Sequence, residues 1–296
     1  MGEKYLSGFV SLIGSPNAGK STLMNAFVGQ KVSIVSERAQ TTRNRILGVM
    51  TRRTYQIVFI DTPGVTMPKN KLGEYMLKVA YESLNEVEAI LFMIDAAIGI
   101  GEKDEALIEK LRGAKSPVIA VINKTDVAKP KRVEEIEKRL AGEKFIKDTV
   151  RVSALTHDGL DALEKKLVSY LEEGPQYFPD DMVTDMPERV ICGELLREKA
   201  LRLLRQEIPH GIGVDIEKME LRTDGIYDVW ASIYCERDSH KGIIIGKNGS
   251  MLKKIASQAR TDMEWLLGIK VNLQVWVKVK EDWRNRTSVM KELGYE

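Results

Sequence analysis

Gly14-Ser15-Pro16-Asn17-Ala18-Gly19-Lys20-Ser21 is the stretch whose reading decides the fold. It fits the spacing G-x-x-x-x-G-K-[ST]. Gly8 to Gly14 before it has the pattern of a short buried strand, and Thr22 to Phe27 after it that of a helix start. A strand, a glycine loop and a helix in that order let backbone N–H groups converge on phosphate oxygens at a helix N-terminus. Lys20 adds a cation, and the Ser21 hydroxyl suits a magnesium ion. Residues 14–22, Thr22 included, are therefore candidate phosphate contacts.

Working outward, Arg45 to Met50 and Tyr55 to Ile60 pattern as two strands joined through Thr51–Thr54. Before them, residues 37–45 are too polar for a core. The second strand runs into Asp61-Thr62-Pro63-Gly64. A carboxylate at the end of a buried strand suits the hydration shell of Mg²⁺, and the Gly64 N–H suits a terminal phosphate. Helices are expected over Lys71–Leu84 and Asp104–Leu111, and strands over Ala89–Asp95, Val118–Ile122 and Thr149–Val152. Alternating helices and strands imply a mostly parallel sheet covered on both faces, with ligands bound outside the carboxyl ends of its strands. Asn123-Lys124-Thr125-Asp126 follows one such strand. The Asp126 carboxylate can accept from both the ring N–H and the amino group of guanine, a pairing that adenine does not offer. Asn123 is expected to steady the loop and Lys124 to lie along the base. Ser153-Ala154 ends the next strand, where a backbone N–H can meet the guanine carbonyl.

In this order and context Gly14–Ser21, Thr42, Asp61–Gly64, Asn123–Asp126 and Ser153-Ala154 resemble the five motifs of a translation-factor-class GTPase, over residues 5 to about 174. The resemblance implies GTP and GDP as ligands. It also implies Mg²⁺ held through Ser21, Thr42 and Asp61, with Thr41 the alternative to Thr42, and catalysis resting on Lys20, Thr42 and Gly64. Segments 36–45 and 64–75 would then be switches ordered by the γ-phosphate. One departure stands out: Val65 occupies the place where Ras-type enzymes carry the glutamine that orients water. A slow intrinsic rate is the expectation.

The 296 residues exceed what one core usually serves, so two domains are expected. Charged residues make up 30% and hydrophobic ones 43%, which excludes a disordered chain. Residues 188–296 hold 19 basic and 17 acidic side chains, so the net charge of +2 lies there. Cys192 and Cys235 sit in apolar runs and suit reduced thiols, and His157, His210 and His240 share no metal-ligating spacing. No run is long and apolar enough to span a bilayer, no signal-peptide pattern opens the chain, and Leu6 argues against a myristoylation signal at Met1-Gly2.

Periodicity stops between Leu171 and Glu188, where three prolines and clustered acids suggest an exposed connection. Domain limits of 1–174, 175–187 and 188–296 follow. Beyond the connection come a helix over Arg189–Glu207, strands over Gly213–Leu221 and Tyr227–Glu236, a helix over Ser250–Leu267 and an alternating strand over Val271–Val279. Trp230, Trp265 and Trp276 fall in apolar-patterned elements and are expected in the core. The sharpest feature is Lys241-Gly242-Ile243-Ile244-Ile245-Gly246-Lys247-Asn248-Gly249, with Lys253 nearby. Residues 236–260 hold six basic and two acidic side chains, a footprint for phosphates. This G-x-x-G with its apolar run and lysines resembles a KH domain of the prokaryotic type, which clamps about four single-stranded nucleotides.

The fold class expected is an α/β P-loop GTPase domain, with helices on both faces of a mostly parallel sheet, joined to an α+β type II KH domain. Ser15-Pro-Asn-Ala, Gln40-Thr-Thr-Arg43 and Gly246-Lys-Asn-Gly249 make the whole chain similar to the Era family. That resemblance implies a cytoplasmic GTP-hydrolysing switch that binds single-stranded RNA, specifically the 3′ end of 16S ribosomal RNA. It further implies a role in 30S subunit assembly and peripheral contact with the cell membrane; no DNA partner is expected. An RNA chaperone in which GTP is only a structural ligand is the alternative. A small-molecule kinase is a third reading, against which Asn123–Asp126 argues.

Overall fold

Aliphatic runs buried at every position, such as β4 (Ala89–Asp95) and β5 (Val118–Asn123), can be satisfied only inside a sheet covered on both faces. The computed structural model, which describes residues 4–205 and 208–295, builds that sheet. Its strands β1 (Leu6–Gly14), β2 (Ile46–Thr51), β3 (Tyr55–Asp61) and β6 (Ile146–Arg151) join β4 and β5 in the order β2-β3-β1-β4-β5-β6. All neighbours are parallel except β2, which runs antiparallel to β3. A two-residue strand, β7 (Glu172–Glu173), pairs antiparallel with Leu6 and Ser7, before the β4 pairing of β1 begins at Val10. Helices α1 (Lys20–Val28), α2 (Lys71–Glu82) and α3 (Glu102–Leu111) occupy the connections, and α4 (Pro130–Leu140) and α5 (Leu160–Val168) add to those expected.

The supposed exposed connection is only partly that. Gln56 donates to the carbonyl of Phe178 and accepts from the amides of Tyr177 and Phe178, while the Val49 amide donates to Val183. These bonds tie residues 177–183 back onto β2 and β3.

Two compact units result: residues 1–33, 42–68 and 76–185 form one, and residues 34–41, 69–75 and 186–296 the other. The second unit contains α6 (Glu188–Leu203), β8 (Gly213–Leu221), β9 (Tyr227–Cys235), α7 (Asp238–Ile245), α8 (Ser250–Leu267), β10 (Val271–Val279) and α9 (Thr287–Glu292). The predicted end of its first helix, Glu207, lies outside the described residues. Strand order is β10-β9-β8, with β10 parallel and β8 antiparallel to β9. Ile191, Leu195, Ile255, Ala259 and Met263 bring α6 and α8 onto one face of this sheet, with Ile34 in the same core.

Only one sheet face is covered, and that corrects the expectation for the tryptophans. Along β10, Val271 and Val277 point inward, whereas Trp276 shares the outward phase of Asn272, Gln274 and Lys278 and is exposed. Trp265 stands two residues from the buried Met263, on the opposite side of α8, and is 69% exposed. Trp230 is half-buried beneath Lys218, whose Nζ lies 5.3 Å from its ring centroid. Trp283, in the tail, is the buried one, donating through Nε1 to the Gly211 carbonyl at 2.8 Å.

Candidate nucleotide and RNA sites

At the carboxyl edge of the first sheet, β1 ends in Gly14, β3 in Asp61 and β5 in Asn123. The loop between Gly14 and Lys20 has no room for larger residues at its ends. A Cβ on Gly14 would stand 2.5 Å from the Met93 carbonyl oxygen, and Gly19 (φ +95°) would put one 2.1 Å from Asn123 Nδ2. Between them Asn17 is exposed at φ 66°, while Ala18 is buried. Lys20 opens α1, and its Nζ donates to the carbonyls of Gly14 (3.1 Å) and Ser15 (3.2 Å). Burial pushes this lysine down to about 8, against the opposing pull of Asp61 and Asp104. Thr22 lies in the first turn of α1, half-buried.

Ser21, Thr42 and Asp61 converge. Asp61 Oδ2 accepts from Ser21 at 2.6 Å and Thr42 at 3.4 Å, and the Ser21 and Thr42 hydroxyls are 3.0 Å apart. A third hydroxyl, Ser33, also donates to Asp61 Oδ2, at 2.8 Å. Burial pushes the Asp61 carboxyl up, with the bonds from Ser21, Ser33 and Thr42 and the charge of Lys20 opposing. Asp61 Oδ1 is buried without a hydrogen-bond partner. Two hydroxyls and a carboxylate with an orphaned oxygen are a hard-oxygen donor set that fits Mg²⁺.

Gly64 lies against the phosphate loop: a Cβ there would come 2.8 Å from Pro16 Cα. The Val65 amide donates to the Gly14 carbonyl at 3.2 Å, and its side chain belongs to the hydrophobic core. Buried and apolar, it offers an attacking water no hydrogen bond. The polar stretch 37–45, expected outside any core, holds buried Thr42 and Arg43, a correction; the Thr42 hydroxyl can be buried because Ser21 and Asp61 partner it.

Asn123 ties three loops together, donating to the Ala18 carbonyl at 2.8 Å and accepting from the Ala154 amide at 3.0 Å. Lys124 (φ 64°) pairs with Asp95 Oδ2 at 2.5 Å, and Asp126 is exposed in the same loop. The amides of Ser153 and Ala154 are already engaged, Ser153 with the Asp158 carbonyl at 2.9 Å.

Sequence reading missed three polar partners of this edge: Ser33 on Asp61, Asp95 on Lys124, and Asp104, whose Oδ1 accepts from the Ser15 hydroxyl at 2.6 Å. Asp95 carried a signal, since like Asp61 it ends a buried strand; Ser33 and Asp104 carried none.

In the second unit, α7 stops at Gly246 (φ +75°) and α8 starts after Gly249 (φ +76°), with Asn248 between them at φ 52°. A Cβ on Gly246 would stand 2.8 Å from that of Met251, so the turn is closed to larger residues. Lys247, Asn248 and Lys253 are exposed, as are Gly242 and Ile243; Lys241, Ile245 and Gly249 are half-buried. Ile244 is fully buried in the core of the unit, so it holds the loop from below and cannot touch RNA through its side chain. The exposed Lys247 and Lys253 flank the N-terminus of α8, and a helix N-terminus with exposed cations beside it suits a phosphodiester.

Residues 9–124 match the model of the 50S ribosome-binding GTPases, and residues 207–284 that of the KH domain. The chain is 54% identical to GTPase Era of Clostridioides difficile, over 98% of this chain and 99% of that protein. It is 52% identical to GTPase Era of Caldicellulosiruptor saccharolyticus, over 98% of each. Among solved structures it superposes with TM-score 0.94 on an Aquifex aeolicus Era variant bound to GDP·AlF4⁻, at 41% identity over 98% of this chain and 99% of that one. The same TM-score, identity and coverage relate it to an Era structure holding MgGDPNP and nucleotides 1506–1542 of 16S ribosomal RNA.

Proposed function

The chain belongs to the Era family of GTPases, and from that premise we propose that its GTPase cycle times the gripping of the 16S ribosomal RNA 3′ end during 30S subunit assembly. The observation that carries the nucleotide half is the meeting of Ser21 and Thr42 on Asp61 Oδ2, with Asp61 Oδ1 beside it buried and without a hydrogen-bond partner. Ser21, Thr42 and Asp61 would hold Mg²⁺, which when bound neutralises charge on the phosphate oxygens.

Each residue then has a task. GTP phosphates take over Lys20 Nζ from the Gly14 and Ser15 carbonyls, and Lys20 stabilises charge on the transferred phosphoryl group. Gly64, held against Pro16, presents its N–H at the terminal phosphate. With the Val65 side chain committed to the core, orienting the water falls to switch backbone, Mg²⁺ and a partner, which supports slow intrinsic hydrolysis. Asp126 selects guanine, and Asn123 keeps the base loop and phosphate loop in register.

For RNA, the Gly246–Gly249 turn lets a strand approach closely while Lys241, Lys247 and Lys253 supply charge and Ile243 apolar contact. The Era structure carrying the 16S fragment supports that RNA as the partner. Among the described residues no helix is long and apolar enough to cross a membrane. Peripheral membrane contact would draw on Lys253 and Lys254, both exposed, which suit RNA equally well.

Crosslinking to cellular RNA in the GTP and GDP states, followed by sequencing of bound fragments, tests the reading. Enrichment of the 16S 3′ end in one state is expected. Random fragments would sink the ribosomal assignment, and equal recovery in both states would leave a chaperone with a structural nucleotide.

A further inference from the structure

We infer that Ser33, gripped by Asn25 of α1, is a positioning residue for the GTPase site: it fixes how Asp61 presents its unpartnered oxygen. The inference rests on the reading of Asp61 as the magnesium-holding carboxylate, and every residue in it belongs to the first compact unit.

Helix α1 ends where Gly29 takes a left-handed conformation (φ +78°), its amide closing the last turn on the Asn25 carbonyl at 2.9 Å. The chain then doubles back to the Asn25 side chain. Asn25 Oδ1 accepts from the amides of Val32 at 3.0 Å and Ser33 at 2.9 Å, and Nδ2 donates to the Ser33 carbonyl at 2.7 Å. Both main-chain groups of Ser33 are thus held by one carboxamide. Its acceptor end meets the two N–H groups and its donor end the carbonyl, whereas the reversed orientation would set donor against donor.

The Ser33 side chain is 0% exposed, and its hydroxyl donates to Asp61 Oδ2 at 2.8 Å. Asn25 stands four residues after Ser21, so the two share a face of α1. From that face the helix reaches Asp61 Oδ2 by two routes: directly, through the Ser21 hydroxyl at 2.6 Å, and indirectly, through Asn25 and Ser33.

An aspartate needs such help to keep one orientation. The torsion that turns its carboxylate plane is broad, without the sharp staggered wells of an aliphatic side chain. One donor on Oδ2 leaves that plane free to swing; a second, anchored on a different stretch of backbone, fixes it and fixes Oδ1 with it. Oδ1 is the buried oxygen without a partner. Ser21 and Thr42 carry the hydroxyls read as metal ligands, whereas Ser33 touches neither nucleotide nor metal in this scheme. Hydrogen bonds that orient a metal-holding carboxylate are typically worth about ten- to a hundredfold in metal affinity.

The test uses the full-length protein carrying Ser33→Ala, which removes the hydroxyl and little else. Release of fluorescent GDP is timed across a Mg²⁺ titration and again in excess chelator, and single-turnover GTP hydrolysis is followed on the same samples. The half-saturating Mg²⁺ concentration should rise by about tenfold in both assays, while release in chelator stays within about twofold of the parent. Ser33→Thr, which keeps the hydroxyl, should return most of the loss. Should Ser33→Ala not fold, Asn25→Ala decides in the same assays, since it keeps the hydroxyl and frees the main chain that aims it; a higher half-saturating Mg²⁺ concentration is again expected. An unshifted Mg²⁺ curve in a folded variant overturns the inference. Faster release by the same factor with and without Mg²⁺ also overturns it, because a merely structural role would act that way. Asp61→Asn runs alongside: if it shifts the curve while Ser33→Ala does not, the inference alone fails, and if Asp61→Asn leaves the curve in place, the metal-site reading fails with it.

Discussion

Ser21 on the first turn of α1 and Asp61 at the end of β3 meet through a hydroxyl-to-carboxylate hydrogen bond of 2.6 Å. The pair brings a hydroxyl and a carboxylate to one point, with Asp61 Oδ1 left over for a further partner. Asp61→Asn keeps the shape and removes the charge, so the site loses its anionic oxygen. Mg²⁺ affinity of the nucleotide-bound protein should fall by at least about tenfold, and Ser21→Ala should show a smaller loss. Titrating Mg²⁺ against GTP hydrolysis and against fluorescent GDP release checks both; unchanged curves would remove Asp61 from the metal site.

Lys20 gives the nucleotide site a pH dependence of definite sign. Burial holds its pKa in the free protein at about 8, below the ordinary 10.5. Below pH 8 it is charged in both folded and unfolded chains, and its burial penalty is paid in full. Between 8 and 10.5 the folded form is neutral while the unfolded form is charged, so this group's contribution to stability grows as pH rises. Phosphates raise the bound-state pKa again, so binding takes up a proton above pH 8. GTP affinity should decline as pH rises from 8 to 9.5, by up to about tenfold per unit. Calorimetry in buffers of different ionisation enthalpy should show the uptake, and Lys20→Met should remove both effects.

The strand-end motifs were legible because a parallel sheet sends Gly14, Asp61 and Asn123 to one edge regardless of what else the chain does. The polar partners were not. Ser33 and Asp104 reach their targets only after tertiary folding, at separations of 28 and 89 residues. Polarity also misled at Arg43, which is 2% exposed, and apolar neighbours misled at Trp276, which stands in the polar phase of its strand. Pattern reports which residues prefer to be hidden; it does not report which face of a three-stranded sheet receives helices.

Val65 tests whether the missing glutamine is a simple substitution. Its side chain is 8% exposed and part of the core around β3 and β4. Val65→Gln should therefore not accelerate hydrolysis. It should cost about 1–3 kcal/mol of stability, because the amide would be buried without partners. Val65→Ala should leave the rate per folded molecule unchanged while lowering the melting temperature. Activity and thermal unfolding measured on the same samples separate the two effects; a faster Val65→Gln enzyme would mean the side chain turns toward the phosphate.

Asp126 is exposed in a loop braced by Asn123 and by the Lys124–Asp95 pair, so its carboxylate can be exchanged without disturbing the support. Asn at 126 offers a donor where guanine presents its amino group and xanthine a carbonyl. Preference for guanine over xanthine nucleotides should drop by about 10⁴ in Asp126→Asn, read as the ratio of the two dissociation constants. Retained guanine preference would place base recognition elsewhere.

Lys247 and Lys253 are exposed, one inside the Gly246–Gly249 turn and one in the first turns of α8, so their contribution to RNA affinity should be electrostatic. Each lysine that neutralises a phosphate releases a counterion, which appears as a slope in a plot of log affinity against log salt. Replacing both by alanine should reduce that slope by about 1.4, at about 0.7 per contact for a single strand. The loss should be similar for different RNA sequences, because phosphate contacts position the strand without reading it. Ile243→Ala, which leaves charge untouched, should weaken binding with no change of slope. Fluorescence anisotropy with a short 16S 3′-end RNA and a scrambled strand, across several salt concentrations, makes the comparison; an unaltered slope in the double variant would move the phosphate path off this loop.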